Sequence, residues 1–415
     1  MLANILFYAG LAVSLVIGFL YFRDLGDVSQ MILKVKRENT LRFIRNEYRY
    51  AAIGLGGLVV MLIGHFMGGG PGWLFFMGLP IVTFLVLFLY IFPWVWVHLG
   101  LRNQQDEAKY FSIEEARDWV NPSASVMVIE NDGHARAHPD AQIMRPHLAG
   151  DEKGLGGQDV IMTYCAMANL GQGYVPAIEG KRLDLEVLAQ HGNNLILRDN
   201  DTGEPIQHIY GWREADRDTD TEGPACPLRP QAQMKPWPTY RMTFRGFQKA
   251  YPEGEVFLNK PPANPILRLL DMATEITFGW GISRQHQESA PVMDNMEHSD
   301  DRLPNKTYVW GVTIGRDAVC WTDDFVIEND WLINTNVGGR DLVVSLDPKF
   351  ESLGVWYNDS GQPVTRCDFW GNSDQGQLTR VETLRAGLFW HVWVEFFPHT
   401  DINRIGASQT AESAA

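Results

Sequence analysis

Lysine and arginine are what this chain is short of: 35 of them against 50 aspartates and glutamates leave a formal charge of −15 over 415 residues. Binding to a phosphate backbone depends on clustered cations that release counterions, so nucleic acid is excluded as a partner class. Neither a GxGxxG nor a GxxxxGK[ST] loop occurs, which removes the cradle that nucleotide phosphates need. Cysteine is scarce as well. Cys165, Cys226, Cys320 and Cys367 lie far apart with no CxxC pair, so a zinc ribbon, a disulfide framework and dithiol redox cycling all lose their support. The acidic stretch EADRDTDTEGP (214–224) has the Asp216, Asp218, Asp220 alternation of a calcium loop but neither its Gly at the sixth place nor its Glu at the twelfth, and reads as a solvated insertion.

Charge-free runs, by contrast, are prominent. Leu2 to Phe22 continues for about twenty residues without a charge, enough to cross a bilayer. It has no basic flank and no small-residue cleavage site of the signal-peptide kind, and reads as a retained helix. Ala51 to Met67 and Trp73 to His98 are two further runs joined by the GGGPG turn, with Trp94 and Trp96 suited to an interface. Three spanning helices are therefore expected within residues 1–100. The loop at 23–50 between the first two carries Arg23, Lys34, Lys36, Arg37, Arg42, Arg45 and Arg49, against no Lys or Arg at the N-terminus or in the Gly68–Gly72 turn. The positive-inside rule makes that loop cytoplasmic, and the hairpin of the next two helices carries everything after Leu99 to the same side. The loop itself reads as a solvated amphipathic connector, with a helix lying on anionic lipid as the alternative.

Beyond residue 100 the expected class is α+β: a β-rich soluble region of two related repeats at 110–258 and 305–402, joined by a Pro-rich, polar linker at 259–304 and followed by a flexible tail at 403–415. Internal similarity carries this expectation. VMVIENDGHARAHPD (126–140) lies over VWGVTIGRDAVCWTD (309–323), and LGGQDVIMTYCA (155–166) over VGGRDLVVSLDP (337–348), each a Gly-Gly turn, an Asp and a strand. Each half closes on an aromatic helix, YRMTFRGFQKAYPEG and LFWHVWVEFFPHT. In the second of these, Phe389, Trp390, Trp393, Phe396 and Phe397 recur at the spacing of a packed face. In this alignment Cys165 falls opposite Asp347 and His147 near Asn329 or Asp330, so the Cys165 position reads as the polar mouth of a strand rather than a plug.

ARAHP (135–139), His147, Gly156–Gly157, MTYCAM (162–167), RDNDTGEPIQH (198–208), DDRLPNKTYVWGV (300–312) and FWHVWVEFFPHT (389–400), taken together and in this order, resemble a prokaryotic family catalogued as domain of unknown function 3179. The resemblance spans about residues 110–400. It implies no particular reaction, and because family members typically carry export signals it implies an extracytoplasmic, periplasmic domain, against the positive-inside argument. The chain departs from the family pattern at Ala168, where a second cysteine is usual, and at Glu204, Ile206 and His208, where Ser, Trp and Gln are usual.

Three functional readings follow. Cys165, His147, Met167 and His208 offer the thiolate, thioether and imidazole donors that select copper or zinc. Cys165 with His147 as its base is the minimum pair for a thiol-dependent enzyme, with the downstream LGQG stretch as an oxyanion donor. The third, and the first expectation, is a non-catalytic binding or interaction module, held in the lipid bilayer, with a membrane protein as its candidate partner. That reading fits the missing family cysteine and the incomplete catalytic constellation.

Overall fold

The computed structural model describes residues 1–25, 33–72, 78–218, 226–227, 229 and 231–406. Parts of four sequence features lie outside the described residues: 26–32 of the basic loop, 73–77 at the start of the third apolar run, 219–224 of the acidic stretch and 407–415 of the tail.

Three helices come first: α1 (Leu2–Asp24), α2 (Arg37–Phe66) and α3 (Gly78–Trp94), the last continuing through a π-helical turn at Val95–Gly100. All three are long and apolar enough to cross a membrane, which makes this a membrane protein. Their outward residues, among them Val16, Phe19, Val59, Phe84 and Ile91, are exposed as lipid-facing positions should be. Small residues bring α1 and α2 together: a Cβ on Gly10 would lie 2.4 Å from the Met61 backbone nitrogen, so the two backbones touch. Ser14 Oγ donates to the Gly54 carbonyl at 2.8 Å, and the Tyr90 hydroxyl of α3 donates to the Ser14 carbonyl at 2.7 Å.

The second helix starts at Arg37 rather than near Ala51, so much of the expected basic loop is helical. Thr40, Phe43, Ile44 and Glu47 recur at helical spacing and are buried, while Arg42, Arg45 and Arg49 occupy the exposed face. Non-helical dihedrals at Asn46 (φ −127°, ψ 16°) separate this amphipathic part from the apolar part.

The rest is built from paired sheets. Within residues 110–258, called the first unit here as 305–402 is called the second, the hairpin Ser125–Asn131/His134–Pro139 is flanked by Thr239–Thr243 on one side and by Glu255–Phe257 on the other. A second sheet runs in the order Lys235–Trp237, Leu170–Val175, Ile161–Cys165, Leu148–Ala149. In the second unit the hairpin Tyr308–Ile314/Asp317–Trp321 is flanked by Arg385–Phe389 and Asp401–Ile402, and the other sheet runs Thr379–Arg380, Ser352–Tyr357, Arg340–Asp347, Leu332–Val337. Registers agree too. Ile161 faces Tyr174 and Cys165 faces Leu170, as Val343 faces Trp356 and Asp347 faces Ser352. Each flanking strand that follows a helix, Phe244–Ala250 or Trp390–Phe396, returns parallel to its hairpin, with Val256 on Ala137 and Ile402 on Cys320. In the chain, a third sheet is inserted between Leu170–Val175 and Lys235–Trp237 of that second sheet of the first unit, in the order Trp212–Arg213, Pro205–Gln207, Asn194–Asp199, Leu185–His191.

The inserted sheet meets the membrane helices. Glu47 of α2, with its side chain fully buried, takes hydrogen bonds from the Tyr21 hydroxyl at 2.9 Å, His98 Nε2 at 2.9 Å and Arg198 Nη1 at 2.6 Å. Glu186 closes the ring, 2.5 Å from His98 Nδ1 and 2.9 Å from Arg198 Nη2. Arg37 pairs with Glu214 and Gln207, Arg45 with Glu204 and Lys34 with Asp294, so the basic residues contact the sheet-bearing region directly.

Residues 259–304 also differ from the polar linker expected. They contain an α-helix at Pro265–Glu275, a π-helical stretch at Ile276–Ile282 and a further short helix at Ser283–Gln287. Proline sits in the first helical turn, where its missing N–H is harmless, and Asn264 caps the helix, so Pro265 starts a helix instead of breaking one.

Candidate functional site

The strand Ile161–Cys165 is buried at every position, and its alternation points Thr163 and Cys165 to one face. The sheet register puts Leu148 opposite Thr163, which carries His147 to the end of the strand. His147 adopts a left-handed backbone (φ 59°). Its carbonyl accepts from Tyr164 N at 2.7 Å, and its Nδ1–H donates back to the Tyr164 carbonyl at 3.0 Å. The imidazole thus lies on the peptide that leads into Cys165. Burial pushes it down to about 4. The pairing partner of this position in the second unit is Trp331, whose carbonyl accepts from Leu346 N and whose φ is 66°, one or two residues beyond the Asn329 or Asp330 that the sequence alignment indicates.

Cys165 is fully buried, and its thiol donates to the Asn193 carbonyl at 3.5 Å. Asn193 sits in the turn between two strands of the inserted sheet, and its amide clamps Met293 with one bond to the carbonyl at 2.9 Å and one from the N–H at 2.8 Å. His208 is fully buried on the same face, 2.7 Å from Thr163 Oγ1 and 3.3 Å from Asn194 Nδ2. Its protonation state follows from its neighbours. Thr163 gives its hydroxyl proton to the Gln172 carbonyl, so Nε2 of His208 must donate to Thr163. Asn194 Oδ1 accepts from Gln207 and from Ile209 N, which leaves the Asn194 amide to donate to His208 Nδ1. Both ring nitrogens are thereby engaged, and burial pushes the imidazole down to about 3. Met167 is buried in the turn after the strand. The structure therefore gathers His147, Cys165 and His208 around one strand and puts Met167 just past its end. Among the described residues no group of three or more His, Cys, Asp or Glu side chains is arranged to hold a metal ion.

The turn itself, Ala166–Asn169, is where the two units and their connector meet. Phe389 N donates to the Ala168 carbonyl at 3.0 Å, the Asn169 amide to the Gly387 carbonyl at 2.7 Å, and Arg241 Nη2 to the Asn169 carbonyl at 2.9 Å. His286 of the connector lies 2.5 Å from the Ala166 carbonyl. The Phe389 ring is a hub: His286 meets it edge-on at 5.0 Å, Tyr308 stacks at 5.5 Å, His391 stacks at 5.7 Å, and Lys306 Nζ lies 4.6 Å above it. His391 Nδ1–H donates to the Asn305 carbonyl at 2.7 Å, so its Nε2 keeps a lone pair; burial lowers this imidazole to about 4. Neither His391 Nε2 nor Lys306 Nζ has a hydrogen-bond partner among the described residues. Burial also lowers Lys306, to about 8. Tyr308 is half exposed and gives the cluster its solvent side. Sequence reasoning missed this cluster, whose members come from positions 286, 306, 308, 389 and 391 with no spacing to connect them.

A family model described as a protein of unknown function (DUF3179) matches residues 104–400. The chain belongs to that family. Searches of curated proteins and of solved structures found no match. The DUF3179 match takes in both the Cys165 cluster and the Phe389 cluster and leaves the three apolar helices outside.

Proposed function

We propose that this DUF3179 protein is a membrane-held, non-catalytic binding module whose ligand site is the Phe389 cluster, suited to a small acid that also bears a hydroxyl or N–H. One observation carries the reading: two buried nitrogens of opposite demand, Lys306 Nζ and His391 Nε2, without partners among the described residues. Buried polar groups are nearly always paired, and an unmade bond costs about 1–3 kcal/mol. Lys306 calls for an anion, the His391 lone pair for a donor, and the rings of Phe389 and Tyr308 form an apolar wall. The Cys165 cluster supports the non-catalytic part. The Cys165 thiol is already turned to the Asn193 carbonyl, and the His208 imidazole, with both nitrogens engaged, has no lone pair left for copper or zinc.

Thermal unfolding of the solubilised full chain, measured with millimolar hydroxy acids, amino acids and sugar phosphates, tests the site. At least one should raise the Tm by several degrees in the wild type and not in Lys306→Met; a shift in neither, or the same shift in both, overturns the reading. Metal analysis of the same preparations decides the rest, since stoichiometric copper or zinc that disappears in Cys165→Ala would establish a metal centre instead.

We further infer that the β-rich units are copies of one ancestral unit, supported by their common strand order and hairpin register. An experimental structure with a different register in either hairpin would refute it. We infer also that both units lie in the cytoplasm, supported by the basic residues at the helix ends, which pair with Glu204 and Glu214 of the first unit and with Asp294 of the connector.

A further inference from the structure

The Pro265–Glu275 helix is amphipathic, yet it is docked the wrong way round for a helix in water. Its polar side faces the protein: buried Asp271 pairs with Arg145 at 2.7 Å and with Arg102 at 2.9 Å, and buried Thr274 accepts from Arg145 Nη1 at 3.0 Å. The fit is close, since a Cβ on Gly100 at the end of α3 would lie 2.9 Å from Thr274 Cγ2. The apolar side faces outward. Ile266, Leu269, Met272, Ile276 and Trp280 are 77%, 69%, 60%, 65% and 67% exposed. In an aqueous setting a surface helix buries its apolar stripe and solvates the polar one. The reversed orientation is stable where the surroundings themselves are apolar.

The surroundings are indicated by what the helix continues. Leu270 and Ala273 share a groove of about 410 Å³ with Phe84, Phe88, Ile91 and Trp96 of α3 and its π-turn, and all of its lining residues are apolar. Phe84 and Ile91 are outward positions of a membrane span, so the groove opens onto the same medium as α3. At the edge of the apolar face, Arg268 is exposed and the Arg284 guanidinium lies 5.7 Å over the Trp280 ring, a pairing of basic and aromatic groups suited to phospholipid headgroups.

We propose that residues 265–282 are a fourth membrane contact, an in-plane segment whose apolar face lies among lipid acyl chains beside the end of α3, with the groove between them filled by an acyl chain. The segment clamps the connector of the two units to the bilayer surface through Arg102 and Arg145.

Spin labelling of the full chain in nanodiscs of phosphatidylethanolamine and phosphatidylglycerol tests this. Nitroxides are attached to Leu269→Cys, Ile276→Cys and, as the polar control, Arg268→Cys, with Cys226 and Cys367 replaced by Ser. Collision with dissolved oxygen should exceed collision with a water-soluble nickel chelate several-fold at 269 and 276, and the order should reverse at 268. Greater exposure to the nickel chelate at 269 and 276 would mean that the face meets water; an immobile label shielded from both reagents would mean that another protein covers it. Either result overturns the proposal, and because the two apolar positions are independent surface sites, failure of one variant to fold leaves the other to decide.

Discussion

Five histidines, His138, His147, His191, His208 and His391, are buried, and burial lowers each well below the usual imidazole range, to about 3 or 4. The unfolded chain takes up these protons near pH 6.5 while the folded chain refuses them until about pH 4. Stability is therefore complete above pH 6.5 and falls as the pH drops towards 4, by up to about 1.4 kcal/mol per pH unit for each histidine. Unfolding of the solubilised protein at pH 7, 6 and 5 should show a steep decline that His208→Gln makes shallower; a flat profile would contradict the buried, neutral assignment. At this scale the sequence was legible where chemistry and chain order coincide. His147, Cys165 and His208 are recognisable as a polar group around one strand, because a Gly-Gly turn and a strand end are local signals. Lys306 and His391 are not, since a seam between units assembles residues that neither periodicity nor spacing relates.

Among the elements, the joint between α2, α3 and the inserted sheet is the most vulnerable. Glu47→Ala would leave Arg198 and His98 buried beside a single remaining carboxylate, Glu186. Removing one partner of such a buried network typically destabilises by about 3–5 kcal/mol. Thermal unfolding in detergent should show that loss for Glu47→Ala and much less than the sum of both single losses for Glu47→Ala/Arg198→Ala; additive losses would mean that the ring does not act as a unit. The apolar part of α2 was legible as an uncharged run, but its first turns were not, because an average over charged residues hides Phe43, Ile44 and Glu47 on one face. The Pro265–Glu275 helix was hidden by its proline, although the Asn264-Pro265 pair is itself a helix-start signal when an amphipathic run follows.

For the whole molecule, sidedness is read by one measurement. With both units on the cytoplasmic face, a green fluorescent protein fused after Ala415 should fluoresce and alkaline phosphatase fused at the same place should be inactive. The opposite pattern would favour the export implied by family resemblance over the charge rule. The α+β class and the three apolar helices followed from the sequence, since both rest on patterns that run along the chain. How the units interlock did not, for it depends on contacts across the whole length. One of these has a consequence for synthesis. The Asn169 amide is bonded to a carbonyl 218 residues further on, at Gly387, and Ala168 to the neighbouring Phe389. When the three apolar helices and every strand of the first unit have been translated, the partners of that turn are still to come. The first unit thus waits, incomplete, for residues some 218 positions further on, and its final closure depends on the synthesis of its neighbour rather than on its own translation alone.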